Sequence, residues 1–324
     1  MPLLNTPLRD PATFDEPDSA DMEHDSVVRR HSKMRNYVAG LIDVFADAPL
    51  GGNPLAVVED ADSLTEETMQ RVAGEFNQAE TTFLMKSDRA DWKLRSFTAN
   101  GSEVFGVGHN ALGAWLWLGY QDRLGPLNSP RTFKQEIGNN VLPITVERRD
   151  GHIYGRMTQA PLQLLEPLAD IKVLEIALGL SAGDILLSPS ARTANTGAAH
   201  LLARIRDRET VDRAKPHAEK LLEVLRPAGA EGCYIYAFDE QESQKAYTRF
   251  FNPTVGLWED AATGTAAGPL CAYLGSQGML DSHGELMIEQ GSLMGRQSFL
   301  RVRLNPDAEL SGTGVMVFLG ELAI

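Results

Sequence analysis

The chain reads as an α+β protein made of two similar halves, and three observations carry that reading. A stretch that is apolar on every side occurs twice in diverged form. One copy is Gly108-His109-Asn110-Ala111-Leu112-Gly113-Ala114-Trp115-Leu116-Trp117-Leu118-Gly119; the other is Gly264-Thr265-Ala266-Ala267-Gly268-Pro269-Leu270-Cys271-Ala272-Tyr273-Leu274-Gly275. Each opens on Gly plus a polar residue, carries no charge and stops at Gly, the usual residue just past a helix end. A helix without a polar face must be buried. The copies start 156 residues apart in a chain of 324, which is the period of a duplicated domain and not of a solenoid. Many short strand-like runs and few amphipathic helices surround them.

The elements follow in order. Residues 1–35 are polar and rich in Asp and Pro, and read as a disordered extension. Tyr37 to Phe45 is an apolar strand, Gly51-Gly52-Asn53-Pro54 a turn, and Leu55 to Val58 the strand resumed. Ser63 stands three residues before Glu66, a capping box for a helix over 64–76 whose Met69, Val72, Ala73 and Phe76 fall on one face. Thr81 to Met85 and Trp92 to Phe97 are strands, followed by the buried helix over 109–119. Val141 to Glu147 and Ile153 to Gln159 flank Arg149-Asp150-Gly151, and Asp-Gly between β runs predicts a hairpin. In the second half, 170–179 and Asp212 to Leu225 read as helices. Strands are expected at Cys233 to Phe238, Lys245 to Phe251, Leu286 to Gln290, Phe299 to Leu304 and Val315 to Leu319, with the second buried helix starting at Gly264.

Charge and composition exclude several functions. The net charge is −14, and residues 1–35, with seven acids and five Lys or Arg, contribute only −2 of it. An acidic body disfavours a nucleic-acid partner, whose phosphates are held by clustered Lys and Arg. No apolar run approaches the roughly 18 residues that span a bilayer, and the N-terminus lacks the apolar core of a secretory signal. The expectation is a cytoplasmic protein with no membrane partner. Two cysteines, Cys233 and Cys271, build neither a disulfide scaffold nor a CxxC site. The seven His are scattered, which predicts no metal site. Gly106-Val107-Gly108 with Gly113 misses the G-x-G-x-x-G spacing, so no dinucleotide cofactor is expected. His152, His200, His217 and His283 read as surface or structural residues.

The chemistry is sought where the buried helices begin, because helix N-termini bind anions. Glu80 follows a helix and enters an apolar strand; a carboxylate carried into a core tends toward neutral-range titration, as a proton-transfer group needs. His109 opens the first buried helix, whose dipole favours neutral imidazole. Asp260 precedes Thr263-Gly264-Thr265 at the start of the second. Taken singly, each also fits an ordinary role: an exposed acid at a strand end, a His or an Asp capping a helix.

Read together, the segments resemble a known family. Asp43-Val44-Phe45, Gly52-Asn53-Pro54, Asn77 to Leu84, Phe97-Thr98, Glu103-Val104 and Gly108-His109 come in that order. Arg249-Phe250-Phe251-Asn252-Pro253, Glu259-Asp260, Thr263-Gly264-Thr265, Gln290-Gly291 and Met294-Gly295-Arg296 follow. The pattern is similar to that of the PhzF-like proteins of phenazine biosynthesis, within the diaminopimelate-epimerase-like fold, over about 36–324. The resemblance implies two domains, 36–150 plus about 312–324 and 151–311, each a curved, mostly antiparallel sheet wrapped around a central buried helix, with the active site between the helix N-termini. It implies a cofactor-independent isomerase, commonly a homodimer, that moves a proton and hence a double bond in a small carboxylate-bearing substrate. Glu80 would be the acid/base, with His109 and Asp260 beside it. Gly108, Asn110, Thr263, Gly264 and Thr265 would bind the substrate.

Departures from the family pattern bear on the substrate. Asn110-Ala111 stands where Pro-Thr is usual, and Ala261 where Pro is usual. Thr98 to Glu103 is one residue longer, with Ala99 at a common Pro. All are expected to line the pocket, so another proton-transfer or pericyclic step, or ligand binding alone, stays open beside literal phenazine chemistry. The two-cysteine racemase mechanism of related epimerases is excluded on residue identity: the two helix starts carry His109 and Thr265.

Overall fold

The computed structural model describes residues 34–324 apart from 239–243, 256 and 281–282; the expected disorder of 1–35 falls almost entirely outside the described residues. Residues 35–324 form one compact unit.

The first part of the chain builds a closed ring. Its elements are β1 (Asn36–Val44), β2 (Asn53–Val58), α1 (Glu66–Phe76), β3 (Glu80–Met85), β4 (Trp92–Thr98), β5 (Glu103–Val104), α2 (His109–Tyr120), β6 (Arg131–Ile137), β7 (Asn140–Arg149) and β8 (His152–Thr158). Strands β1, β2, β3, β4, β6, β7 and β8 pair in succession. The last strand of the chain, β17 (Ala308–Ala323), joins β8 back to β1. Helix α2 lies against β8, β2, β1, β17 and β3. Every one of its residues but Tyr120 is buried, as its uniformly apolar sequence requires. Trp115 and Trp117 carry one polar atom each, and both are satisfied: their indole N–H groups donate to Gln135 Oε1 and Glu59 Oε1. Gly113 is small by necessity, since a Cβ there would come within 2.6 Å of Val44 and 2.7 Å of Leu55.

After one added strand and helix, the second part repeats the order of elements, with a helix pair in place of the first helix. It comprises β9 (Gln163–Pro167), α3 (Ile171–Leu178), β10 (Arg192–Asn195), β11 (Ala199–Arg204), α4 (Arg208–Arg213), α5 (Ala218–Leu225), β12 (Gly232–Phe238), β13 (Lys245–Asn252), β14 (Leu257–Asp260), α6 (Gly264–Ser276), β15 (Glu285–Gln290) and β16 (Ser298–Leu304). In the first part, parallel β2 and β3 are joined through α1, and parallel β4 and β6 through α2. In the second, parallel β11 and β12 are joined through α4 and α5, and parallel β13 and β15 through α6. The remaining pairings are antiparallel. Residues of α2 and α6 belong to one contiguous apolar core; smaller cores lie under α1 and under α3 to α5.

Two local expectations are corrected. The cap of α1 is Thr65, whose Oγ1 accepts from Thr68 N–H; Ser63 is held instead by the Tyr37 hydroxyl, 2.7 Å away. The expected helix over Asp212 to Leu225 is two helices, α4 and α5. Pro216 lies in the break: it has no N–H to donate and disfavours helical backbone at the residue before it. The Asp150-Gly151 hairpin is as expected, with both residues at positive φ, 52° and 85°. No helix among the described residues is long and apolar enough to cross a membrane.

Candidate active site

The N-termini of α2 and α6 meet. A Cβ at Gly264 would sit 3.5 Å from Gly108 Cα, and one at Gly108 would sit 3.4 Å from the γ-methyl of Thr265 and 3.9 Å from its amide nitrogen. First-turn amides of a helix have no carbonyl four residues back to bond, so both helices turn their amide-bearing, positive dipole ends toward one place.

Glu80 is delivered there by β3, where it pairs with Leu55 of β2 and Thr98 of β4. Its Oε2 lies 3.0 Å from His109 Nε2, with the side chains 20% and 8% exposed. The contact is close but off the line of a good hydrogen bond, and neither atom has a well-aligned partner among the described residues. Burial alone would lower the His109 pKa. The Glu80 carboxylate beside it more than offsets that, with help from Asp260, and the imidazole titrates above its ordinary value. Burial pushes the Asp260 carboxyl the other way, toward the protonated form; His109 pulls it back and Glu80 adds to the rise. Glu80, His109 and Asp260 are therefore one electrostatic unit, although 180 residues separate Glu80 from Asp260 in the sequence.

Asp260 is rigidly held. Its Oδ1 accepts from Asn53 Nδ2 at 2.7 Å, and Asn53 also donates to Ala262 O at 2.9 Å. Its Oδ2 accepts from the Thr263 hydroxyl at 2.5 Å. Gln290, fully buried, donates to Asp260 O and Thr263 Oγ1 and accepts from Thr263 N–H and the Tyr234 hydroxyl. One step back, Arg249 grips Glu259 with two bonds of 2.8 Å, fixing β14 against β13. Arg296 binds Asp43 Oδ1 and the carbonyls of Gly51 and Gly52, tying the Asn53 turn to the second half of the chain.

The predicted substrate-binding residues divide. Gly108, Gly264 and Thr265 lie where the helices meet. The side chains of Asn110 and Thr263 are spent internally: Asn110 donates to Ser96 Oγ and Gly106 O and accepts from Gly108 N–H. Thr263 is likewise bound to Asp260 and Gln290, so both side chains have little left for a ligand. Asn110, Ala111, Ala99 and Ala261 are not among the residues that wall the cavity next to Thr265. The cavity that reaches Thr265, about 220 Å³, is walled by Phe105, Val107, Ile137, Leu142 and Gln159 among others, and no charged side chain lines it. A larger cavity of about 500 Å³, lined by Arg149, Arg156 and Arg301 with Glu147 and Glu309, includes no predicted site residue.

Sequence reasoning missed Asn53, Gln290 and His200 as parts of this site. Asn53 and Gln290 sit inside the quoted motifs Gly52-Asn53-Pro54 and Gln290-Gly291, which was the available signal. His200, read as surface or structural, is buried on β11 with Nε2 3.1 Å from Thr265 Oγ1.

The family model of the phenazine biosynthesis-like proteins, PhzC-PhzF, matches residues 42–320. The chain belongs to that family. Among PhzF-family relatives, the trans-2,3-dihydro-3-hydroxyanthranilate isomerase of Pseudomonas aeruginosa is 31% identical over 288 residues, covering 87% of this chain and 96% of the relative. An uncharacterized isomerase of Clostridium acetobutylicum is 29% identical over 305 residues, covering 90% and 99%. The crystal structure of a PhzF-family phenazine biosynthesis protein from Bacillus anthracis superposes with a TM-score of 0.81 at 28% identity, over 90% of this chain and all of that one. A hydroxyproline epimerase from Agrobacterium vitis shares the fold alone, with a TM-score of 0.61 at 12% identity, covering 90% and 92%. The PhzF relatives are named as isomerases, and the fold is that of PhzF and the proline-racemase-like proteins.

Proposed function

We propose that this PhzF-family chain is a cofactor-independent isomerase that relocates a proton, and with it a double bond, in a small carboxylate-bearing substrate. The observation that carries the reading is the 3.0 Å contact between Glu80 and His109 at the mouth of α2, beside the start of α6. A carboxylate held against an imidazole, with no well-aligned partner among the described residues for either facing atom, is poised to exchange a proton.

In the proposed reaction, Glu80 removes a proton from one carbon of an allylic unit. The electron pair of that C–H bond becomes the new double bond, and the old double bond takes a proton from Glu80 at its far end. No atom is gained or lost. First-turn amides of α2 and α6 and the Thr265 hydroxyl hold the substrate carboxylate, where negative charge is favoured. His109 balances the charge of Glu80, and Asp260 orients the pair. The uncharged remainder of the substrate occupies the 220 Å³ cavity. We read residues 36–150 plus 312–324 and 151–311 as two epimerase-like domains that contribute one helix tip each.

The test is incubation with trans-2,3-dihydro-3-hydroxyanthranilate in D2O, followed by NMR. Isomerisation by the wild-type protein and none by Glu80→Gln is expected. Equal turnover by both would remove Glu80 from the mechanism. Loss of binding and of turnover in the wild type would reject this substrate class.

A further inference from the structure

His200 lies outside the acid/base unit, yet it touches the site. It is 2% exposed, and the edge of its ring meets the ring of Phe250 with centroids 4.9 Å apart. Nε2 stands 3.1 Å from Thr265 Oγ1, whereas Nδ1 is buried with no partner among the described residues. Burial pushes its pKa down to about 3, so the ring is neutral through the physiological range.

A neutral imidazole carries one proton, and the two tautomers have different consequences. With the proton on Nδ1, a buried N–H would be orphaned, which folded proteins tolerate least. The Thr265 hydroxyl would then also spend its own proton on Nε2. With the proton on Nε2, the N–H is satisfied by Thr265 Oγ1, and only an acceptor lone pair is left bare at Nδ1. The Thr265 proton is then free to point elsewhere. Its rotor has little choice, because the γ-methyl faces Gly106 and Gly108 and the oxygen is held by His200. Thr265 lines the 220 Å³ cavity, where a ligand acceptor can meet that proton.

We propose that His200 is a positioning residue whose Nε2–H tautomer makes Thr265 an obligatory hydrogen-bond donor to the substrate, selecting a ligand oxygen that accepts, such as a carboxylate or carbonyl, over a hydroxyl that must donate. The proposal rests on the carboxylate reading above and adds to it the polarity of one contact.

Two measurements on the full chain test it. In protein labelled with ¹⁵N-histidine, long-range ¹H–¹⁵N correlations should show His200 protonated at Nε2 and bare at Nδ1, unchanged between about pH 5 and pH 8. A protonated Nδ1 would overturn the proposal. Calorimetric binding of 3-hydroxyanthranilate supplies the second arm. His200→Phe and Thr265→Val should each weaken binding about tenfold, and the double variant no further, because both remove one hydrogen bond. His200→Gln, which can still donate, should regain most of the affinity. Wild-type affinity in His200→Phe, or losses that simply add, would overturn the proposal. No binding by the wild type would instead reject the carboxylate reading on which it rests.

Discussion

The tips of α2 and α6 occupy equivalent places in a repeated order of elements, but they differ in chemistry. At the α2 tip stands a titratable ring, His109, against an off-line carboxylate, Glu80, with bonding capacity left over. At the α6 tip the polar side chains have fixed protein partners: Thr263 has Asp260 and Gln290, and the Thr265 oxygen has His200. The contrast teaches that duplication of geometry does not require duplication of role. Under the proposed reaction, one tip changes its protonation and the other holds still while that happens.

Substitutions can break this division of labour. The largest effect is expected from Glu80→Gln, which keeps the shape and removes the proposed base. kcat should fall about 10³-fold with the melting temperature little changed; a fall of less than tenfold would place the mobile proton elsewhere.

His109→Gln comes next, with kcat down about 10²-fold and a distinct pH signature. The folded-state pKa of His109 is raised. The stability it contributes is therefore fully present below its unfolded value, about 6.5, and is lost as pH climbs through the higher folded value. The melting-temperature gap between wild type and His109→Gln should accordingly narrow as pH rises above about 6.5. A gap that widened would mean the pair is not held by charge.

At the quiet tip, Gln290→Leu strips partners from Asp260, Thr263 and Tyr234 at once. Stability should fall by about 3 kcal/mol in denaturant titration, with kcat down about tenfold as Asp260 loses its setting. Unchanged stability would show that the network relaxes around the loss. The smallest effect belongs to Thr265→Ser, which keeps the hydroxyl and deletes a methyl packed on Gly106 and Gly108. About 1 kcal/mol, or about 2 °C in melting temperature, is expected, with little change in kcat.

These comparisons also show what was legible in the chain. The two buried helices could be read because an all-apolar run has only one place to go. Glu80, His109 and Asp260 could be named because each sits in an ordered motif. What could not be read were bonds between distant segments. Asn53 looks like a turn residue, and nothing in its neighbourhood announces a carboxylate 207 positions on. His200 was passed over because a lone histidine on an apolar strand has no local mark; only the folded register brings it to Thr265. Ser63 failed as a cap because Tyr37 claimed its hydroxyl, a tertiary contact overriding a local pattern. The helix over Asp212 to Leu225 failed for a reason that was visible, Pro216, whose cost outweighs the periodicity around it.

Strand β17 has a consequence for how the molecule is made. It pairs with β16 and β8 near its start and with β1 along the rest, so that Asn36 ends opposite Ala323. The barrel around α2 thus lacks one stave until residues 308–323 have been added to the growing polypeptide. Until then the tryptophans of α2 have an incomplete wall, and the first half cannot close around them before residues 308–323 arrive.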